Sequence, residues 1–529
     1  MVASEAFTSG GRRARWGTAP FDLLRHANTA FCEGINALCI HGSATSGPET
    51  GKPGKSVFGG IHFSPNQTWW NQGAKELLQY LTRCSYLLRQ GLFVADVLYY
   101  NGDEAPNFVP PKHIDPSRGF GYDYDVCNSE VLLTRLSVQD GRIVLPDGMS
   151  YRVLVLPDRP VIPLNVAAKI QALVAAGATV LGPKPQRTPG LTGYPKSEQQ
   201  LKKITDAVWG IEPASPSLEH PYGKGRVLGG VSIREVLKTV GLPPDFALQT
   251  KTENALVDFI HRRHDGTDIY FVANRRATTL QADCTFRVSG KQPELWDPIT
   301  GKQHDLPQFE PKDGRTSVPL EFAPYGGIFV VFRKGVQQPG AASRNGVAAN
   351  FLTLKPTQEI TGPWTVQFDP QWFYPTNDLS SEQARGLLVF DKLEDWVLRP
   401  EPAVRYFSGT AIYTKVFRME SPIPGQQLFL DLGTVKATAR VRLNGKDLGV
   451  VWCPPWRVEI TGAVKPGENA LEIEVVNLWP NRLVGDSKAK QRRTRTHGFF
   501  GGPDYQLSSG LLGPVTVQKA QASESPSKP

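Results

Sequence analysis

Residues 153–181 read VLVLPDRPVIPLNVAAKIQALVAAGATVL. Val153 to Leu156 is a short apolar run closed by Pro157, which reads as a buried strand. Leu164 to Ala176 carries apolar residues at helical spacing and stops at Gly177. Ala178 to Leu181 is the next strand, closed by Gly182 and Pro183. A strand, a helix and a strand joined this tightly form one α/β unit. The pattern predicts a small open α/β domain, flavodoxin-like in style, over residues 121–245.

Toward the amino terminus the alternation continues. Phe21 to Phe31 places Phe21, Leu24, Ala27, Asn28 and Phe31 on one helical face. Ile35 to His41, after Gly34, reads as a buried strand. Glu76 to Gln90 is the clearest helix of the chain, with Gly91 as its stop, and Phe93 to Leu98 follows as another strand. This order predicts parallel pairing with helices on the sheet faces. Residues 1–120 are too few for a whole (β/α) barrel of about 250 residues, so they are expected to be an incomplete one. Met1 to Ser9 reads as the end of a buried strand running into a loop, as if the chain began inside a domain.

Toward the carboxyl terminus helices fade. Leu256 to His261, Asp268 to Ala273 and Gly327 to Phe332 are strand-like, and 246–340 is expected to be a β-sandwich. The stretch 335–350 is rich in Gly, Ala and Asn and reads as a linker. A second all-β unit is expected over 351–518. Its strongest signal is the hairpin from Val441 to Val451, with Asn444-Gly445 at the turn. Residues 519–529 read as a disordered tail. The expected class is therefore multidomain, α/β followed by all-β. The length of 529 residues agrees with three to four domains.

Composition excludes several classes. Gly 51 and Pro 44 make the chain loop-rich, while 40% hydrophobic residues suffice for several cores. No apolar run approaches a membrane span of about 18 residues. Six cysteines without a C-x-x-C pair argue against both a disulfide scaffold and structural zinc; they read as buried small hydrophobes. The charge of +9 is thinly spread. Its dense runs, Arg12 to Arg15 and Lys488 to Arg495, have no nucleic-acid-reading motif beside them and read as solvated loops. Neither nucleic acid nor membrane is an expected partner. No secretory leader is visible at the start of the sequence.

Four places could carry chemistry. Glu5 follows a strand end, where a parallel barrel keeps its reactive groups; it reads either as a general base or as a surface carboxylate. His41 ends the next strand and reads as a site or a core histidine. Phe63 to Asn71 sets Trp69 and Trp70 among Asn66, Gln67 and Thr68. Flat aromatic faces with amides and hydroxyls suit a sugar, with one Trp expected in the pocket and the other in the core. Asp125, in the run Tyr122 to Asn128, could bind sugar hydroxyls or a hard cation, or simply join domains.

The stretches Glu5-Ala6-Phe7-Thr8, Gly34-Ile35-Asn36, Phe63 to Trp70, Arg83 to Leu88, Leu145 to Pro157 and Glu294 to Pro298 resemble glycoside hydrolase family 106, the alpha-L-rhamnosidases. Leu430 to Gly433, Val441 to Gly449, Trp452 and Asn477 to Arg482 resemble the galactose-binding-like jelly roll of family 2-type hydrolases. The resemblance spans residues 1–518 and implies an inverting glycosidase represented by its carboxyl-terminal portion. It implies Glu5 as the catalytic base, with His41, Asn66, Trp69, Trp70 and Asp125 around a carbohydrate substrate. No cofactor is evident; the family pattern allows calcium and a periplasmic or secreted location. The other reading is a carbohydrate-binding remnant without turnover.

Overall fold

The computed structural model describes residues 1–8, 16–41, 47, 51–55, 63–103, 121–211, 218–336, 349–374, 380–420, 425–489, 492–497 and 505–521. The Arg12 to Arg15 run, most of the expected linker and residues 522–529 lie outside them.

Strand β1 (Ala3–Ala6), helix α1 (Pro20–Cys32), strand β2 (Ala37–Ile40) and helix α2 (Ala74–Leu88) follow in chain order. β1 and β2 pair in parallel, Ala3 with Ala37 through Ala6 with Ile40. The expected burial of the first strand is not observed. Ala3 and Glu5 are exposed and Ser4 and Ala6 half-buried, because the described residues supply a single partner strand and helices on one face only. Leu38 and Ile40 pack toward those helices.

The strand expected over Phe93–Leu98 is split between two sheets. Leu92–Phe93 pairs with Arg262 and Arg263 at the edge of a later sheet, and Val97–Tyr100 enters the α/β sheet. Gly91 makes the split possible. At φ +54 it sits so close to Arg263 that a Cβ would fall 2.0 Å from the carbonyl oxygen. The helix stop thus hands the chain directly to a neighbouring backbone.

Val97–Tyr100 is the first of five parallel strands, followed by Tyr124–Cys127, Val153–Val155, Thr179–Leu181 and Gly225–Gly229. Their spatial order is second, first, third, fourth, fifth, with Leu218–Tyr222 added antiparallel beside the last. This is the flavodoxin-type order. The helix Leu164–Ala176 buries Val166, Ala167, Ile170, Leu173 and Val174, as its spacing requires.

Two antiparallel sheets follow between residues 246 and 335, one of four strands and one of five, which Leu92–Phe93 extends to six. They share a core of Phe246, Phe259, Tyr270, Val272, Phe286, Val330 and Phe332. The six-stranded sheet is buried on both faces. Along Thr267–Asn274, Tyr270 and Val272 face the sandwich, while Ile269, Phe271 and Ala273 face α1 and α2. The last unit again packs a four- and a six-stranded antiparallel sheet around one core. Its Asn444 and Gly445 both adopt positive φ, 52° and 78°, as the tight hairpin turn demands. Its last strand, Thr516–Ala520, runs two residues into the stretch expected as a tail. Among the described residues no helix is long and apolar enough to cross a membrane. Five cysteines are buried; Cys39 is exposed, since it faces the open side of β2.

A buried charge network fastens the α/β unit to the sandwich. Arg287 donates to both carboxylate oxygens of Asp96 at 3.0 Å and approaches Asp245 at 3.5 Å. His261, fully buried, lies between Asp245 (Nδ1, 2.9 Å) and Asp268 (Nε2, 3.1 Å) and stacks on Tyr270 at 3.9 Å. Burial alone would lower the His261 pKa; the two carboxylates outweigh it and raise it above 6.5. Burial would likewise raise Asp245 and Asp268, and their cationic partners hold both below the usual carboxylate range.

The signs of these shifts fix a pH window. The His261 contribution is complete below its unfolded pKa near 6.5 and is lost as pH rises through the raised folded value. The Asp245 and Asp268 contributions are present above their unfolded value near 3.8 and are lost as pH falls. His261→Gln should cost about 3–5 kcal/mol near pH 6, because two buried carboxylates lose their shared cation. Urea midpoints between pH 5 and 9 should decline in the alkaline range for the wild type and lie flatter for the variant.

Trp69 is fully buried and donates its indole N–H to the Thr18 carbonyl at 2.9 Å. Trp69→Ala should destabilise by about 3–5 kcal/mol, read as a lower denaturation midpoint.

Candidate active site

Parallel pairing brings the carboxyl ends of β1 and β2 side by side, and with them Glu5 and His41. Glu5 sits opposite Cys39 in the register, and the His41 amide donates to the Ala6 carbonyl at 3.0 Å. Asn36 holds the other end of the pair: its Oδ1 accepts from the Val2 amide at 2.8 Å and its Nδ2 donates to the Leu88 carbonyl at the end of α2. The amide that opens β2 therefore locks strand to strand and strand to helix.

Beyond β1 the chain turns through Phe7, whose φ of 65° is unusual for a bulky residue. The turn returns Thr8 over Glu5. The Thr8 hydroxyl donates to Glu5 Oε1 at 3.0 Å and lies 2.8 Å from His41 Nδ1. His41 Nδ1 is itself 3.5 Å from Glu5 Oε1. The carboxylate is open to solvent and the imidazole partly so, with side-chain exposures of 64% and 38%. The cluster can hold a carboxylate in one orientation and exchange protons with solvent. No role for Thr8 is expected from the sequence. The available signal is its place three residues after Glu5, just past a strand end.

The two adjacent tryptophans part company. Trp69 belongs to the core under α1 and α2. Trp70 is half-buried, rests edge-on against Phe63 with ring centres 5.2 Å apart, and borders an open groove of about 580 Å³ with Asn71, Leu78, Gln79 and Arg83. Asn66 presents its carbonyl to the Trp479 indole N–H at 2.7 Å, so its backbone serves a contact with the last unit. Asp125 lies in the α/β sheet on Tyr124–Cys127. Its Oδ2 accepts from the Tyr151 hydroxyl at 2.9 Å and its Oδ1 from the Val126 amide at 2.8 Å. The structure thus brings Glu5 and His41 together; the contacts of Trp69, Asn66 and Asp125 go elsewhere.

Calcium takes six to eight oxygens. Both oxygens of Asp125 already accept hydrogen bonds, and among the described residues no three His, Cys, Asp or Glu side chains gather where a metal ion could sit. No such carboxylate cluster surrounds Asp125 among the described residues.

Comparison with known proteins matches this arrangement to a family. The alpha-L-rhamnosidase model of glycoside hydrolase family 106 matches residues 1–310. The solved rhamnosidase from Novosphingobium sp. PP1Y is 33% identical, superposes with a TM-score of 0.86, and is covered over 48% of its length by 98% of this chain. A protein of Formosa agariphila that carries a beta-glucuronidase name is 26% identical, with 98% of this chain matching 63% of that protein. The chain thus spans about half of the one relative and under two thirds of the other. With its match extending over more than half of its residues, the chain belongs to glycoside hydrolase family 106, the alpha-L-rhamnosidases.

Proposed function

We propose that the protein acts in the hydrolysis of terminal alpha-L-rhamnosides, with Glu5 as the general base of an inverting displacement. The observation that supports this reading is the pairing of Glu5 and His41 at the same end of two parallel strands, in a chain of this family. The Glu5 carboxylate takes a proton from a water molecule as that water attacks the anomeric carbon. A second carboxyl group protonates the leaving oxygen from the opposite sugar face, roughly 6.5–9.5 Å away. Trp70 offers an aromatic edge and face to the sugar, beside the amides of Asn71 and Gln79.

In this reading the carboxyl-terminal two-sheet unit supports the site without entering the chemistry. Its Trp452 and Leu478 are spent in the core beneath α1 and α2, its Trp479 on Asn66, and its Glu474 on Gln72.

The test is hydrolysis of an aryl alpha-L-rhamnoside. It is measured on this chain and on the chain joined to the additional length that the solved rhamnosidase possesses. Glu5→Gln keeps the shape and removes the base. It should lower turnover by about 10²–10⁴-fold in whichever form is active. Near-normal turnover by the variant would remove Glu5 from the mechanism. Sugar binding without turnover in both forms would favour a carbohydrate-binding role.

Trp70→Ala should raise KM by about fivefold or more, the worth of one aromatic contact of about 1 kcal/mol. Because Trp70 is only half-buried, the denaturation midpoint should move far less than in Trp69→Ala.

A further inference from the structure

We propose that Thr8 and His41 are positioning residues for Glu5, and that His41 carries its neutral-state proton on Nδ1. This inference rests on the reading of Glu5 as the working carboxylate.

The reasoning begins with counting protons. The Thr8 hydroxyl has one hydrogen and touches two groups, Glu5 Oε1 at 3.0 Å and His41 Nδ1 at 2.8 Å. An ionised carboxylate accepts and cannot donate. Both contacts are then satisfied in one way: Thr8 donates to Glu5, and His41 Nδ1–H donates to Thr8. The Thr8 oxygen becomes the middle of a directed relay from imidazole to carboxylate. The same arrangement survives protonation of the ring, because Nδ1 is a donor in both states. It fails if Nδ1 becomes an acceptor, since the Thr8 hydrogen cannot serve two partners.

A second observation comes from the backbone. Phe7 is held at φ 65° while its ring packs toward the core under α1 and α2. A bulky residue pays for that conformation, and the turn it makes delivers Thr8 over Glu5. The bonds so formed are exposed to solvent, where they add little to stability. Their consequence is chemical: one carboxylate oxygen is engaged and the plane of the group is set. A base that must meet a water at a fixed sugar face requires that orientation.

The experiment reads the ring directly and needs no turnover. The full chain is labelled with ¹⁵N-histidine, and the His41 signals are assigned by their loss in His41→Gln. Nitrogen shifts are recorded above the pH at which the ring titrates. In the wild type the protonated nitrogen should be Nδ1. Thr8→Val keeps the volume and removes the hydroxyl, and should move the proton predominantly to Nε2. Thr8→Ser restores the hydroxyl and should return it to Nδ1. A wild-type proton on Nε2, or a tautomer unmoved by Thr8→Val, would overturn the relay whatever the outcome of the Glu5 turnover assay. Loss of turnover in Glu5→Gln together with an unmoved tautomer would keep the carboxylate and dismiss its positioning pair.

Discussion

The six-stranded sheet, five of whose strands lie between residues 257 and 335, is the constraint on which the rest depends, because it is apolar on both faces. A sheet in that condition must be covered twice. One face is covered by its sandwich partner; the other is covered by α1 and α2, through Ile260, Ile269, Phe271, Phe329 and Val331. The helices in turn carry β1 and β2. The site at the strand ends is therefore held by a sheet some 250 residues away in sequence, and the last unit completes the same core with Trp452, Val476 and Leu478. Of the tryptophan pair, Trp69 enters this core and Trp70 stays at its rim.

Polar contacts fix the orientation that the apolar core leaves free. Tyr80 on α2 donates to Asn28 on α1, and Asn28 donates to the Tyr325 carbonyl at 2.9 Å, so two helices and a sandwich loop share one buried amide. Arg287 does the same between the α/β unit and the sandwich. A buried charge of this kind is costly alone and tolerable when fully paired. Here Asp96, Asp245, Asp268, His261, Arg263 and Lys291 close the account between them. The network makes the relation between units specific in a way that interchangeable apolar side chains do not.

At the strand ends the balance is different. Glu5, Thr8 and His41 meet in water, where their mutual bonds contribute little to holding the fold. The stability of the strand pair comes from Asn36 and from the apolar sides of Leu38 and Ile40 instead. The groups proposed to react are thereby separated from the supporting ones along the same two short strands, with Glu5 on the open face beside Cys39 and their neighbours toward the helices.

Much of this was legible in the sequence wherever the signal is local. The helices α1 and α2, the α/β unit around residues 153–181, the Asn444-Gly445 hairpin and the strand-end positions of Glu5 and His41 follow from periodicity and turn chemistry, which act over a few residues. The division of Phe93–Leu98 between two sheets did not, since an apolar run does not say which sheet it joins; the close approach of Gly91 to Arg263 decides that. Nor did the exposure of β1, which depends on how many strands flank it, or the hydrogen bond that Tyr151 gives to Asp125. Thr8 is the plainest case: its contacts with Glu5 and His41 arise from a left-handed turn at Phe7 and from the arrival of His41 at the end of a strand more than thirty residues later. The sequence by itself determined which segments form strands and helices, and which carried the chemistry-bearing side chains. The tertiary structure alone decided which of those side chains meet, because contact between distant residues is set by the packing of whole sheets and helices and leaves no trace in local spacing.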